Sequence, residues 1–252
     1  MGIIAFFYGI FTYGLGVASL LYLILFVGNL WVPKTIDSAA TGSPALALLV
    51  DLVLIALFGL QHSIMARPGF KAWWTRMVPK SVERSTYMLA TGLVTGLLCW
   101  QWHPIAGSVW SVESPAIRMA LHGMYWLGWA LLFAATFMIN HFDLFGLRQV
   151  YLRLKNKPYT PVPFVQVAFY KVIRHPIMLG LLLGFWSTPD MSYGHLLFAA
   201  ACTGYIFIGI WLEERDTGEA LGAAYAHYRD RTPMLLPLPK RHSAARVIDS
   251  GR

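Results

Sequence analysis

Charge is what this sequence has least of. Asp, Glu, Lys and Arg make up 13% of its 252 residues, about half the share of a soluble domain, which must solvate its whole surface. A water-soluble globule is therefore excluded. Cysteine is scarce too: Cys99 and Cys202 both fall inside apolar runs, which rules out a disulfide framework or a thiolate zinc site. No histidine pair stands at i,i+3 or i,i+4 on one helix, so no metal is expected. No G-x-G-x-x-G loop occurs, so the soluble dinucleotide-type pocket is absent. The N-terminal run lacks a basic n-region and a small-residue cleavage site, and reads as a retained membrane helix rather than a signal peptide.

What is present is apolar length. Hydrophobic residues are 57% of the chain, and a membrane crossing needs ~20 of them in a row. Five such runs stand out, at 3–32, 44–65, 85–102, 119–140 and 191–212. A sixth, Ile177–Thr188 within 172–188, is short. The expected fold is an all-α integral membrane protein of about six transmembrane helices, one domain over 1–240. It ends in a helical hairpin and a cytoplasmic segment, with a disordered basic tail at 241–252. The short run must cross if the basic tail is to lie inside, helped by residues 161–170 upstream. Gly180 and Gly184, a small-x-x-x-small pair, are expected to bring it close to the last span.

The net charge of +8 follows the topology. Of the 20 Lys and Arg residues, all but Lys34 and Arg118 fall in the loops between spans two and three, between four and five, or after six. The positive-inside rule makes that side cytoplasmic, with both termini inside a bacterial inner membrane. The basic excess then meets lipid headgroups and not nucleic acid.

With the orientation set, depth becomes readable. Gln61, His62 and Ser63 end span two at the cytoplasmic face. Asn140, His141 and Asp143 end span four there. Arg174 and His175 open span five, and Glu213, Glu214, Arg215 and Asp216 close span six. Each cluster alone has a plain explanation: an interfacial histidine, a snorkelling arginine, a solvated helix end, or an aromatic belt for Tyr225 and Tyr228. Four clusters at one depth point instead to a cytoplasm-facing site, because ionisable groups in a span are costly. His103, His122, His195 and Asp51 lie toward the other side, and Asp51 has no evident partner.

The order of these residues resembles a known superfamily. Arg174-His175-Pro176-x-x-x-Gly180, a hairpin, Glu213-Glu214, then Leu221-Gly222-x-x-Tyr225-x-x-Tyr228 and Pro233 is similar to the isoprenylcysteine carboxyl and phospholipid methyltransferases. Met178 stands where an aromatic is usual. Gly28-Asn29, Gln61-His62-Ser63, Asn140-His141-Phe142-Asp143 and Gly194-His195 narrow the resemblance to the bacterial methanethiol S-methyltransferases, with nurim-like proteins as relatives. The resemblance implies S-adenosylmethionine as methyl donor and methanethiol, a small thiol, as acceptor.

On that basis Arg174 and His175 are expected at the cofactor's polar end. Glu214, with Glu213 beside it, is expected at its amine or ribose, and Tyr225 and Tyr228 as walls. A thiol reacts as thiolate, so a base is needed. His141 is the first candidate, with Asp143 orienting it, and His62 the second. Two other readings stay open: a methyltransferase for a larger membrane acceptor, and a non-catalytic nurim-like protein.

Overall fold

The computed structural model describes residues 2–238. The basic tail at 241–252 lies outside the described residues.

Four helices are long and apolar enough to cross a membrane: α1 (Gly2–Val27), α2 (Pro44–Ala66), α5 (Pro115–Ile139) and α10 (Tyr193–Leu221). Between them come α3 (Pro68–Trp74), α4 (Lys80–Gln101), α6 (His141–Leu144), α7 (Leu147–Leu154), α8 (Phe169–Val172) and α9 (Pro176–Trp186). After α10 comes α11 (Ala223–Arg231). Proline opens α2, α3, α5 and α9, where its missing N–H costs nothing. Outward-facing Ile4, Phe7, Leu49, Leu127 and Trp211 are exposed, as side chains facing acyl chains should be.

The first helix stops at Val27, short of the expected 32, because Asn29 and Trp31 take positive φ and turn the chain. The last span runs through the Glu213–Asp216 cluster to Leu221 instead of ending before it. Helix α4 has 22 residues, enough for ~33 Å, but begins with Lys80, Glu83 and Arg84. Helix α9 has only 11 residues, about 16 Å. Extended backbone at Ile173 separates it from α8, so residues 161–170 do not lengthen it.

The glycines of α9 face a different neighbour from the one expected. A Cβ on Gly180 would sit 2.6 Å from the Gly128 carbonyl oxygen, and one on Gly128 would sit 2.7 Å from the Gly180 carbonyl oxygen. The two backbones touch, and the close partner of α9 is α5, not α10. The turn between α9 and α10 is also more than a hairpin. Asp190–Ser192 (β2) pairs antiparallel with Ser108–Ser111 (β1), a two-stranded ribbon that the all-α expectation did not contain.

The core is aromatic and aliphatic. Trp102, Trp129, Phe26 and Phe198 are fully buried, and Phe198 meets both Trp102 and Phe185 edge-on. Helix α1 packs on α4 and α7, α2 on α4 and α10, and α9 on α5. Tyr87 to His62, Arg84 to Leu144 and Arg67 to Asp216 then join the C-terminal ends of α2 and α5, the N-terminal end of α4 and the C-terminal half of α10.

Candidate active site

Glu214 is the centre of one polar cluster. Nε of Arg174 donates to its Oε1 at 2.8 Å, Nη2 of Arg174 lies 2.6 Å from the same oxygen, and His175 Nε2 meets it at 2.9 Å. Glu213 stands beside them, 3.8 Å from His175 Nδ1, and its side chain is 55% exposed. Two more of the five N–H groups of Arg174 are occupied as well. Its Nη1 binds the carbonyls of Arg229 at 3.1 Å and Thr232 at 2.5 Å. Backbone N–H groups of Arg174 and His175 bind Pro233 and Met234 at 2.9 and 3.1 Å. Arg174 thus straps the C-terminal segment across the start of α9, and its side chain is 7% exposed.

Tyr225 and Tyr228 form an aromatic group with a third ring that the sequence did not single out. Tyr225 and Tyr228 are buried with ring centroids 6.0 Å apart. Phe164 packs edge-on against both, at 6.2 and 5.4 Å. The Tyr228 hydroxyl donates to the Tyr170 carbonyl at 2.6 Å. Burial pushes the phenols of Tyr225 and Tyr228 up to about 12, so they stay neutral.

The second cluster sits where α2, α4 and the α5–α6 break meet. Asn140, at φ 107°, ends α5 and its side chain caps α6 by accepting from Asp143 N at 3.1 Å. His141 is then buried, stacked between Phe137 and Phe145 at 4.2 and 4.5 Å. Thr136 gives its hydroxyl proton to the Phe133 carbonyl at 2.7 Å. It therefore accepts from His141 Nδ1 at 2.9 Å, and Nε2 accepts from Tyr13 at 2.9 Å. Both ring nitrogens are satisfied. Asp143 does not orient this ring: its carboxylate turns to Arg148 at 2.8 Å and Tyr159 at 3.2 Å.

His62 is placed differently. The Tyr87 hydroxyl lies 2.8 Å from Nε2 and 2.9 Å from Nδ1, and Phe58 stacks on the ring at 5.3 Å. Thr91 Oγ1 also reaches Nδ1, at 3.5 Å, so the two ring nitrogens share one close hydroxyl and one distant one. Arg84 stands over the Tyr87 ring at 4.6 Å and donates to the Leu144 carbonyl at 2.7 Å. Through that pair the His62 and Asp143 segments are joined. Gly146 follows with φ 88°, and a Cβ there would lie 2.8 Å from Ser85 N, so only glycine lets the chain press so close to α4. Arg67 completes the face by pairing with Asp216 at 2.8 Å.

The outer histidines and Asp51 are not part of this face. Asp51 is fully buried and accepts from His103 N at 2.9 Å, the partner the sequence did not reveal. Asp37 is bound by Ser192 and by Asn29 at 2.7 Å, with His195 3.7 Å away. A groove of about 550 Å³ opens between the outer ends of α2 and α10, lined by Pro44, Leu48, Ile105, Tyr193 and Leu197. Its apolar wall lies at the end of the bundle opposite the ionisable clusters.

Curated relatives match most of this sequence. A methanethiol S-methyltransferase of Mycobacterium tuberculosis is 50% identical over 236 residues, 94% of this chain and 97% of the relative. The chain belongs to the methanethiol S-methyltransferase family. A second member, from Crocosphaera subtropica, is 46% identical over 230 residues, 91% of this chain and 90% of its own. Nurim of Sus scrofa is 30% identical over 177 residues, 66% of each chain. No family model matches, and no solved structure matches.

In this methanethiol S-methyltransferase-family chain, several side chains at the site carry no motif of their own. Tyr87, Arg84 and Phe164 are single residues in ordinary apolar or loop sequence. Helix periodicity places Arg84 and Tyr87 on one face of α4, which is the one signal available. Nothing local marks Phe164. Among the described residues no group of three His, Cys, Asp or Glu gathers to hold a metal.

Proposed function

We propose that this chain transfers a methyl group from S-adenosylmethionine to methanethiol, releasing dimethyl sulfide. The site would face the cytoplasm within a six-crossing bundle of the bacterial inner membrane, with both termini inside. Family membership supports the acceptor, and the basic loops support the orientation. The observation that carries the site is the Glu214 carboxylate. Three contacts converge on its Oε1, while among the described residues none donates to Oε2.

The residues fit the donor. An acidic pair suits an ammonium or ribose hydroxyl, and neutral tyrosines suit a sulfonium cation or adenine. Glu213, Glu214 and His175 would hold the polar end, and Tyr225 and Tyr228 would wall the site. Arg174 would serve by fixing Glu214 and the C-terminal strap rather than by touching ligand. Once bound, S-adenosylmethionine supplies a methyl group on a sulfonium sulfur, open to in-line displacement by a thiolate. The protein's part is to make that thiolate and exclude water. His62, with only a 3.5 Å contact from Thr91 beside its close Tyr87 partner, takes the thiol proton. His141 has both nitrogens engaged and buries them, so it becomes the second choice.

Purified protein in lipid, supplied with methanethiol and S-adenosylmethionine, should release dimethyl sulfide detectable by headspace gas chromatography. Release that ignores S-adenosylmethionine, or none at all with methanethiol, would refute this reading. Product with a larger thiol or lipid amine alone would move the chain to another acceptor.

A further inference from the structure

An S-adenosylmethionine site must answer a carboxylate as well as an ammonium, and a buried carboxylate requires a cation or strong donors. Arg174 is not that cation. Glu214 Oε1 takes its Nε and Nη2, and two backbone carbonyls take its Nη1.

Three other cations near the module can be set aside. Arg215 pairs with Glu219 along α10 at 3.2 Å and lies over lipid-facing Trp211. Lys171 and Arg231 are exposed. Arg67 instead reaches across from α2 to α10. It ends α2, where Pro68 follows and holds its backbone extended at φ −72°, ψ 143°. Its Nε donates to the Ser63 carbonyl at 3.3 Å and its Nη1 to Asp216 Oδ2 at 2.8 Å. Asp216 lies on α10 just past Glu213 and Glu214, and the Arg67 charge acts on Glu213. Among the described residues nothing accepts from Nη2, and the side chain is 33% exposed. With Nε and Nη1 anchored, the planar guanidinium holds Nη2 in a fixed direction for a ligand, which a lysine ammonium cannot do in the same geometry.

We propose that Arg67, anchored by Asp216, binds the carboxylate of the methyl donor's amino-acid end. The assignment rests on the S-adenosylmethionine reading above. It divides that end of the ligand between two helices, the acidic pair of α10 taking the ammonium and the end of α2 taking the carboxylate.

The test is a thermodynamic cycle on the full chain in detergent, read by calorimetry. Wild type, Arg67→Gln and Arg67→Lys are each titrated with S-adenosylmethionine and with its decarboxylated analogue, which keeps sulfonium and ammonium. Arg67→Gln should weaken S-adenosylmethionine at least tenfold and leave the decarboxylated analogue within about twofold. Arg67→Lys keeps the charge and serves where the glutamine variant does not fold. It should show the same selective loss in smaller degree. Equal weakening of both ligands, or no weakening, would overturn the assignment while leaving the donor reading intact. A wild-type chain that binds neither ligand would overturn both.

Discussion

Arg174 and Glu214 meet at 2.6 Å from the start of α9 and the inner part of α10, and both are largely shielded from solvent. The same guanidinium ties down the carbonyl of Thr232. One side chain therefore joins two helices and the segment that follows them. A charge so enclosed costs several kcal/mol to desolvate, and its partners must return that.

Removing this arginine should unfasten the strap. Arg174→Ala leaves Glu214 without its cation and two carbonyls without donors. We expect a loss of about 3 kcal/mol, read as a lowered thermal midpoint in detergent, with faster proteolysis beyond Leu221. Arg174→Lys should recover only part, since one ammonium cannot reach both the carboxylate and the carbonyls.

The α5–α9 contact gives a second prediction. Gly128→Ala and Gly180→Ala each drive a methyl into backbone at 2.7 and 2.6 Å, which no side-chain rotation relieves. Each should destabilise by about 1–3 kcal/mol. Gly209→Ala, with open space around it, should be neutral or gain up to ~1 kcal/mol from helix propensity.

The two histidines separate by what their loss disturbs. His62→Gln should lower the turnover rate by about 10²-fold with little change in thermal midpoint. His141→Gln should lower the midpoint, because bonds to Tyr13 and Thr136 go, yet keep most activity in the folded fraction. The reverse pattern would restore His141 as the base.

The outer corner predicts a pH response. Burial works against the Asp37 charge, but His195, Ser192 and Asn29 outweigh it and hold its pKa below the usual carboxylate value. A depressed folded pKa means stability that is full above the unfolded value of ~3.9 and fades as pH falls through the folded one. Asp37→Asn should therefore lower the midpoint at pH 6, and the gap from wild type should close toward pH 3.

The sequence by itself determined the solvent, the family and the neighbourhood of the site. Long apolar runs admit no other environment, since backbone polar groups in lipid must be paired within helices. The order Arg174-His175, Glu213-Glu214 placed four side chains that do meet, while Tyr225 and Tyr228 meet each other and Phe164. Only the tertiary structure decided who bonds to whom. Asp143 lies two residues from His141, yet turns to Arg148 and Tyr159. Gly180 and Gly184 chose α5 over the helix that follows them in sequence. Asp51 found a backbone N–H at residue 103, and Arg67 found Asp216 across the bundle. Helix periodicity fixes which face a residue occupies, but not which neighbour covers that face. That choice is made by how backbones pack and where donors run out, and neither is written in any local stretch of chain.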